Sequence, residues 1–227
     1  MLDRITASLI CMDLSDIKTD IDTLLENGVD RLHADFMDNT FVPRLGISPE
    51  LIQWIRKRYG NNVYIDSHLM VKDPISCLDV IAPYSNWVFF HNEAVSDPLR
   101  VLQAMDKYEV NKGVAYNVGT SVNIPLINTD LVVGLMFMGI SPGVLGTRSW
   151  PDLISEKISS LRGNIIGGEM LPIFVDGGVS FNSMKYLGAD TMVCGSSTLF
   201  KIDKETELMD REEMIKFNIG RIEEALK

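Results

Sequence analysis

The chain has 227 residues, 46% of them hydrophobic and 23% charged, with 21 basic against 31 acidic side chains and a net charge of −10. That balance suits one soluble α/β domain over residues 1–227 with a sizeable core, and it argues against a broad nucleic-acid or acidic-membrane surface. No run approaches the roughly 20 apolar residues of a membrane span, and the stretch Ile5–Cys11 is too short and lacks the basic flank of a secretory leader. Three cysteines (Cys11, Cys77, Cys194) without a C-x-x-C pair suit buried thiols in a reducing, cytoplasmic setting.

In chain order, the run Ile5–Ile10 predicts a first strand, and Asp13-Leu14-Ser15 opens a helix through Leu25. The run Arg31–Asp35 predicts the second strand, followed by a helix that Ser48-Pro49-Glu50 starts with proline in its first turn. Val63–Asp66 is the third strand, and Asp73-Pro74 starts the next helix by the same device. Five further runs follow: Trp87–His91, Gly113–Asn117, Val132–Met138, Pro172–Asp176 and Thr191–Cys194. A last helix spans about Asp210 to Leu226, with Met214, Phe217, Ile222 and Leu226 on one face. Most of these runs are too apolar to alternate, which suits parallel strands buried on both faces. Eight strand–helix units over this length predict a single (β/α)8 TIM barrel. An open doubly wound sheet is the alternative, because pairing order is not written in one sequence.

A barrel of this kind carries its chemistry at the C-terminal ends of its strands. All three histidines, His33, His68 and His91, fall near such ends, with Asp35 and Asp176 closing the second and seventh strands and Ser8 in the first. A strand-end histidine or aspartate taken alone is an ordinary core hydrogen-bonder or helix cap. His33-x-Asp35 is different, since period two puts both side chains on one face of a strand. With His68 and Asp176 it forms a two-imidazole, two-carboxylate set, suited to Zn²⁺, Fe²⁺, Co²⁺ or Mn²⁺ with a position left open for substrate.

The glycines form a second group. Gly177-Gly178 follow the seventh strand, Gly195-Ser196 the eighth, and Gly143 and Gly146 the sixth. Loops at these positions are where barrels bind phosphate through backbone N–H groups. Met37, Met70 and Met138 lie beside these features and could wall a reactive intermediate off from water, although methionine more often fills core gaps.

These residues make the chain similar, over nearly its whole length, to the ribulose-phosphate 3-epimerase family. The resemblance rests on Ala7–Leu14, His33–Asp38 with Phe41–Pro43, Ser67–Val71, His91–Glu93, Ser141–Gly143, Val175–Val179 and Cys194–Ser196, in that order. It implies a barrel of the ribulose-phosphate-binding type and metal-dependent inversion at C3 of a ketose phosphate. The substrate would be ribulose 5-phosphate or, because C-M-D-L at Cys11–Leu14 looks closer to that branch, allulose 6-phosphate. His33, Asp35, His68 and Asp176 would hold the metal, Zn²⁺ first, with Asp35 and Asp176 as the acid/base pair. Ser8 and His68 would contact substrate, and Gly143, Gly146, Gly177, Gly178, Gly195 and Ser196 would form the phosphate site. Met37, Met70 and Met138 would shield the enediolate. A homo-oligomer is implied by resemblance alone.

The chain departs from the family pattern at three places. Asn39 stands where the family has glycine, a mild change because asparagine tolerates a left-handed backbone. Arg44 replaces an asparagine. The loop Pro142–Arg148 lacks a glycine, an aromatic and a glutamine of the family's P-G-F-G-G-Q, and Arg148 is the residue able to offset them with a charged contact. That loop keeps alive a catalytically silent barrel that only binds a phosphorylated sugar. No lysine at the key strand ends supports a Schiff-base aldolase or decarboxylase.

Overall fold

The structure, a computed structural model, describes residues 1–127, 130–144, 148–164 and 171–227. Eight parallel strands pair in chain order and close: β1 (Ile5–Ser8), β2 (Arg31–Met37), β3 (Tyr64–Met70), β4 (Trp87–His91), β5 (Asn111–Tyr116), β6 (Gly134–Met138), β7 (Ile173–Asp176) and β8 (Thr191–Cys194). β1 pairs with both β2 and β8, which excludes the open sheet. Around the barrel lie α1 (Ile17–Glu26), α2 (Pro49–Tyr59), α3 (Pro74–Ile81), α4 (Pro98–Ala104), α5 (Ile124–Ile127), α6 (Pro151–Asn164) and α7 (Arg211–Ala225).

The strands read with period two. In β2, Leu32, Ala34 and Phe36 belong to the large core between sheet and helices, whereas His33 and Asp35 turn inward to the barrel axis. A smaller cluster of Phe89, Ala115, Met136 and Phe174 fills the barrel interior, with the rings of Phe89 and Phe174 4.7 Å apart. Filling this layer gives the residues above it a solid floor.

Several local expectations shift. β1 stops at Ser8, and Leu9–Cys11 form a 3₁₀ turn that brings Cys11 toward the barrel mouth. β3 continues to Met70, so His68 lies inside a strand rather than after it. α1 starts at Ile17 with Asp16 as its cap, because the Asp13 carboxylate closes a tight turn on Ser15 instead. Ser48, Asp73 and Asp210 cap their helices as expected, the last with a full capping box. On α7 the buried face is Met214, Ile215, Asn218, Ile219, Ile222 and Ala225, a 3.6-residue stripe that leaves Phe217 at its edge, 39% exposed. Between β7 and β8 a 3₁₀ turn, Ser183–Lys185, replaces the expected helix. Cys194 is buried, whereas Cys11 and Cys77 are only half-buried. Among the described residues no helix is long and apolar enough to cross a membrane.

Candidate active site

Strand register assembles the polar centre. Ser8 lies opposite His33, Asp35 opposite His68, and Met138 opposite Asp176. His33, Asp35, His68 and Asp176 are all buried, and one ligand atom from each lies within 4.8 Å of every other. His68 Nδ1 is 3.3 Å from both Asp35 Oδ1 and Asp176 Oδ2, and His33 Nε2 is 3.3 Å and 3.9 Å from the same two oxygens. A tetrahedron with metal–ligand bonds of about 2.0–2.1 Å has edges of about 3.4 Å, and the four imidazole–carboxylate spacings are near that length. His33 Nε2 is buried and makes no hydrogen bond despite that proximity, leaving its lone pair or proton aimed at the two carboxylates. A buried polar atom of this kind needs a partner. The donor set and its orphaned nitrogen fit a divalent cation.

The cluster also balances its own charge. Burial disfavours charged His68, but Asp176 and Asp35 beside it win and push it up to about 9. Burial likewise opposes charge on His33, and Asp35 reverses this to raise its pKa. Asp35 would be raised by burial, yet the imidazoles of His33 and His68 pull it well below the ordinary carboxylate range. The cost of burying the Asp35 carboxylate is offset by the two imidazoles beside it.

Above the cluster opens a cavity of about 110 Å³. Asp35 and Asp176 reach its floor with Ser8, while His33 and His68 lie behind them, fully buried. Met37, Met70 and Met138 line the wall, the last two 2% exposed. Gly143, Gly177, Gly178, Gly195 and Ser196 line the far side. Gly143, Gly177 and Gly178 have φ of +70°, +89° and +68°, which side chains rarely adopt and which turn these loops sharply at the rim. Gly146 lies outside the described residues.

The loop after β2 completes the mouth. Asp38 accepts hydrogen bonds from the backbone N–H groups of Thr40, Phe41 and Lys72, at 2.8, 2.8 and 2.7 Å, which ties the loop to the end of β3. Asn39, at φ +57°, takes the left-handed turn expected of it. Gly46 then runs so close to β2 that a Cβ there would collide with the Asp35 carbonyl oxygen and the Met37 nitrogen. Val42 packs against Gly143, where an added Cβ would come within 2.6 Å of it.

A sequence profile described as the ribulose-phosphate 3 epimerase family matches residues 4–200. The ribulose-phosphate 3-epimerase, cytoplasmic isoform, of Oryza sativa is 32% identical over 202 residues, covering 86% of each chain. The ribulose-phosphate 3-epimerase of Escherichia coli K12 is 31% identical, covering 85% of this chain and 87% of its own. The chain belongs to the ribulose-phosphate 3-epimerase family. It is thereby an isomerase of the epimerase type. A tryptophan synthase α-subunit of Pyrococcus furiosus, 14% identical with a TM-score of 0.68 over 98% of both chains, shares the barrel fold.

Two features of this family member escaped the sequence reading. Arg44 is the one basic side chain among the described residues lining the cavity, and no carboxylate among the described residues pairs with it. Arg148, the residue expected to offset the altered loop, instead stacks over Trp150 at 4.3 Å and is absent from that lining. The second feature is a chain of contacts behind the site. His68 Nε2 is 3.0 Å from His91 Nε2, His91 Nδ1 is 3.3 Å from Glu93 Oε2, and Glu93 Oε1 accepts the Asn117 N–H at 2.7 Å. The H-N-E motif was visible; its link to His68 depends on β3 and β4 being neighbours.

Proposed function

We propose that this protein inverts C3 of a ketose phosphate, interconverting ribulose 5-phosphate and xylulose 5-phosphate, with a divalent metal held by His33, Asp35, His68 and Asp176. The observation that carries the reading is the pair Asp35 and Asp176, on strands three places apart around the barrel, meeting at the floor of one cavity. Inverting a carbon beside a carbonyl requires a base on one face and an acid on the other. In the direction from ribulose 5-phosphate, one carboxylate takes the C3 proton and the other, protonated, returns a proton to the opposite face. The reverse reaction exchanges their roles. A divalent cation held by these residues, Zn²⁺ being the first candidate, would supply stabilisation for the negative charge that develops on the substrate. Met37, Met70 and Met138 provide walls that neither accept nor deliver a proton, so water is kept from the planar enediolate. The backbone N–H groups of Gly177, Gly178, Gly195 and Ser196 are the proposed phosphate cradle, and Arg44 adds a positive charge from the loop after β2. The family relatives named as ribulose-phosphate 3-epimerases support the pentulose substrate.

The test is deuterium incorporation at C3 from heavy water, followed by NMR on Zn²⁺-loaded protein with ribulose 5-phosphate. Allulose 6-phosphate and fructose 6-phosphate run in parallel. Exchange with epimer formation is expected on the pentulose and lost in Asp35→Asn and Asp176→Asn. Exchange on the hexulose phosphates alone would move the substrate to six carbons. No exchange on any sugar, with metal bound, would sink the epimerase reading and leave a silent binder.

A further inference from the structure

Behind the proposed metal position, the three side chains His68, His91 and Glu93 form one connected line. The His68 and His91 rings have centroids 5.0 Å apart and planes 24° apart, and their nearest nitrogens are the two Nε2 atoms at 3.0 Å. That is an edge-to-edge approach of two nearly coplanar rings, the geometry of an N–H···N hydrogen bond rather than of face stacking. Both rings are fully buried, so no solvent competes for these nitrogens. Phe41 packs on the His91 ring at 4.9 Å and helps hold its plane. Glu93 is anchored independently by the Asn117 N–H.

We infer that His91 and Glu93 are positioning residues that fix His68 in the tautomer whose Nδ1 lone pair faces the metal. The inference rests on the metal reading above and follows from counting protons. A carboxylate can only accept, so Glu93 Oε2 takes the proton of His91 Nδ1. A neutral imidazole protonated at Nδ1 has a bare Nε2, which must accept from its neighbour. His68 Nε2 is therefore the donor, and with a metal bound its Nδ1 offers the lone pair, 3.3 Å from Asp35 Oδ1 and Asp176 Oδ2. One carboxylate at the end of β4 thus sets the protonation of a ligand on β3 through an intervening ring. Metal-bound histidines commonly hand their second N–H to such a partner, and losing it costs about 10–100-fold in metal affinity.

The protein has only three histidines, so proton–nitrogen NMR of histidine-labelled, Zn²⁺-loaded protein resolves each tautomer. Expected are His91 protonated at Nδ1 alone and His68 at Nε2 alone. Chelator competition should show His91→Phe weakened about 10–100-fold for Zn²⁺, with His91→Gln, which keeps a carbonyl acceptor, close to the parent. His91 protonated at Nε2, or His91→Phe binding Zn²⁺ as tightly as the parent, overturns the relay while sparing the metal site. A parent protein that takes up no Zn²⁺ overturns the metal reading itself.

Discussion

Asp35 shows how much a single position can carry. It belongs to the inward row of β2, faces two imidazoles, lies 3.4 Å from the Ser8 hydroxyl, and still reaches the cavity floor. Its contacts with Ser8 and His68 depend on strand register. Its inward placement beside His33 at a strand end was legible, because period two and the strand-end rule are local properties of sequence. Arg44 was not, since its importance comes from a loop folding back over the mouth, and no local pattern encodes that path. As a cation on the wall with no carboxylate partner among the described residues, it should meet the substrate's anionic end about equally before and during reaction. Arg44→Gln is therefore expected to raise KM about tenfold, the worth of a charge-assisted hydrogen bond of about 1.5 kcal/mol, with kcat little changed. Steady-state kinetics at fixed ionic strength reads this directly, and an unaltered KM would place the guanidinium in solvent.

At the scale of elements, strand positions were read closely from apolar runs, and helix starts at Ser48-Pro49 and Asp73-Pro74, where a cap stands next to proline. Errors gathered where a side chain chose between two local partners. Asp13 closes a turn rather than a helix, and the short β7–β8 connection settles into serine-bonded turns, with Ser180 and Ser183 hydrogen-bonded to each other. The segment from Asp38 to Ile47 is the most consequential connection. Backbone bonds from Gly46 to the Met37 carbonyl and from Ile47 to the Asp35 carbonyl, at 3.2 and 3.0 Å, lay it along the end of β2 as an extra support for Asp35. Gly46→Ala should push this support away, at about 1–3 kcal/mol, lowering the melting temperature by about 2–4 °C per kcal/mol. It should weaken metal uptake as well, through displacement of Asp35. A melting temperature and metal affinity equal to the parent's would mean the loop yields without moving the carboxylate.

The whole molecule is a closed ring whose centre is supplied by residues distant in sequence. Barrel closure was inferred only from the number of strand runs, and the register that brings Asp35 and His68 side by side had to come from structure. The protein's net charge of −10 gives cations a favourable field, but protons compete for the same atoms. His68, raised to about 9 in the metal-free protein, must shed its proton to become a ligand. Metal affinity should therefore climb from pH 6 towards pH 9, the reverse of the ion-pair stability of His68, which is complete below about 6.5 and fades as pH rises through 9. Competition titrations corrected for chelator protonation test the sign, and an affinity independent of pH would contradict it. Because both imidazoles lie within 3.9 Å of both carboxylates, the four groups can pair with one another when no metal is bound. Cells starved of metal would accumulate a dormant reserve of finished barrels, restored by resupply alone, without new synthesis or refolding.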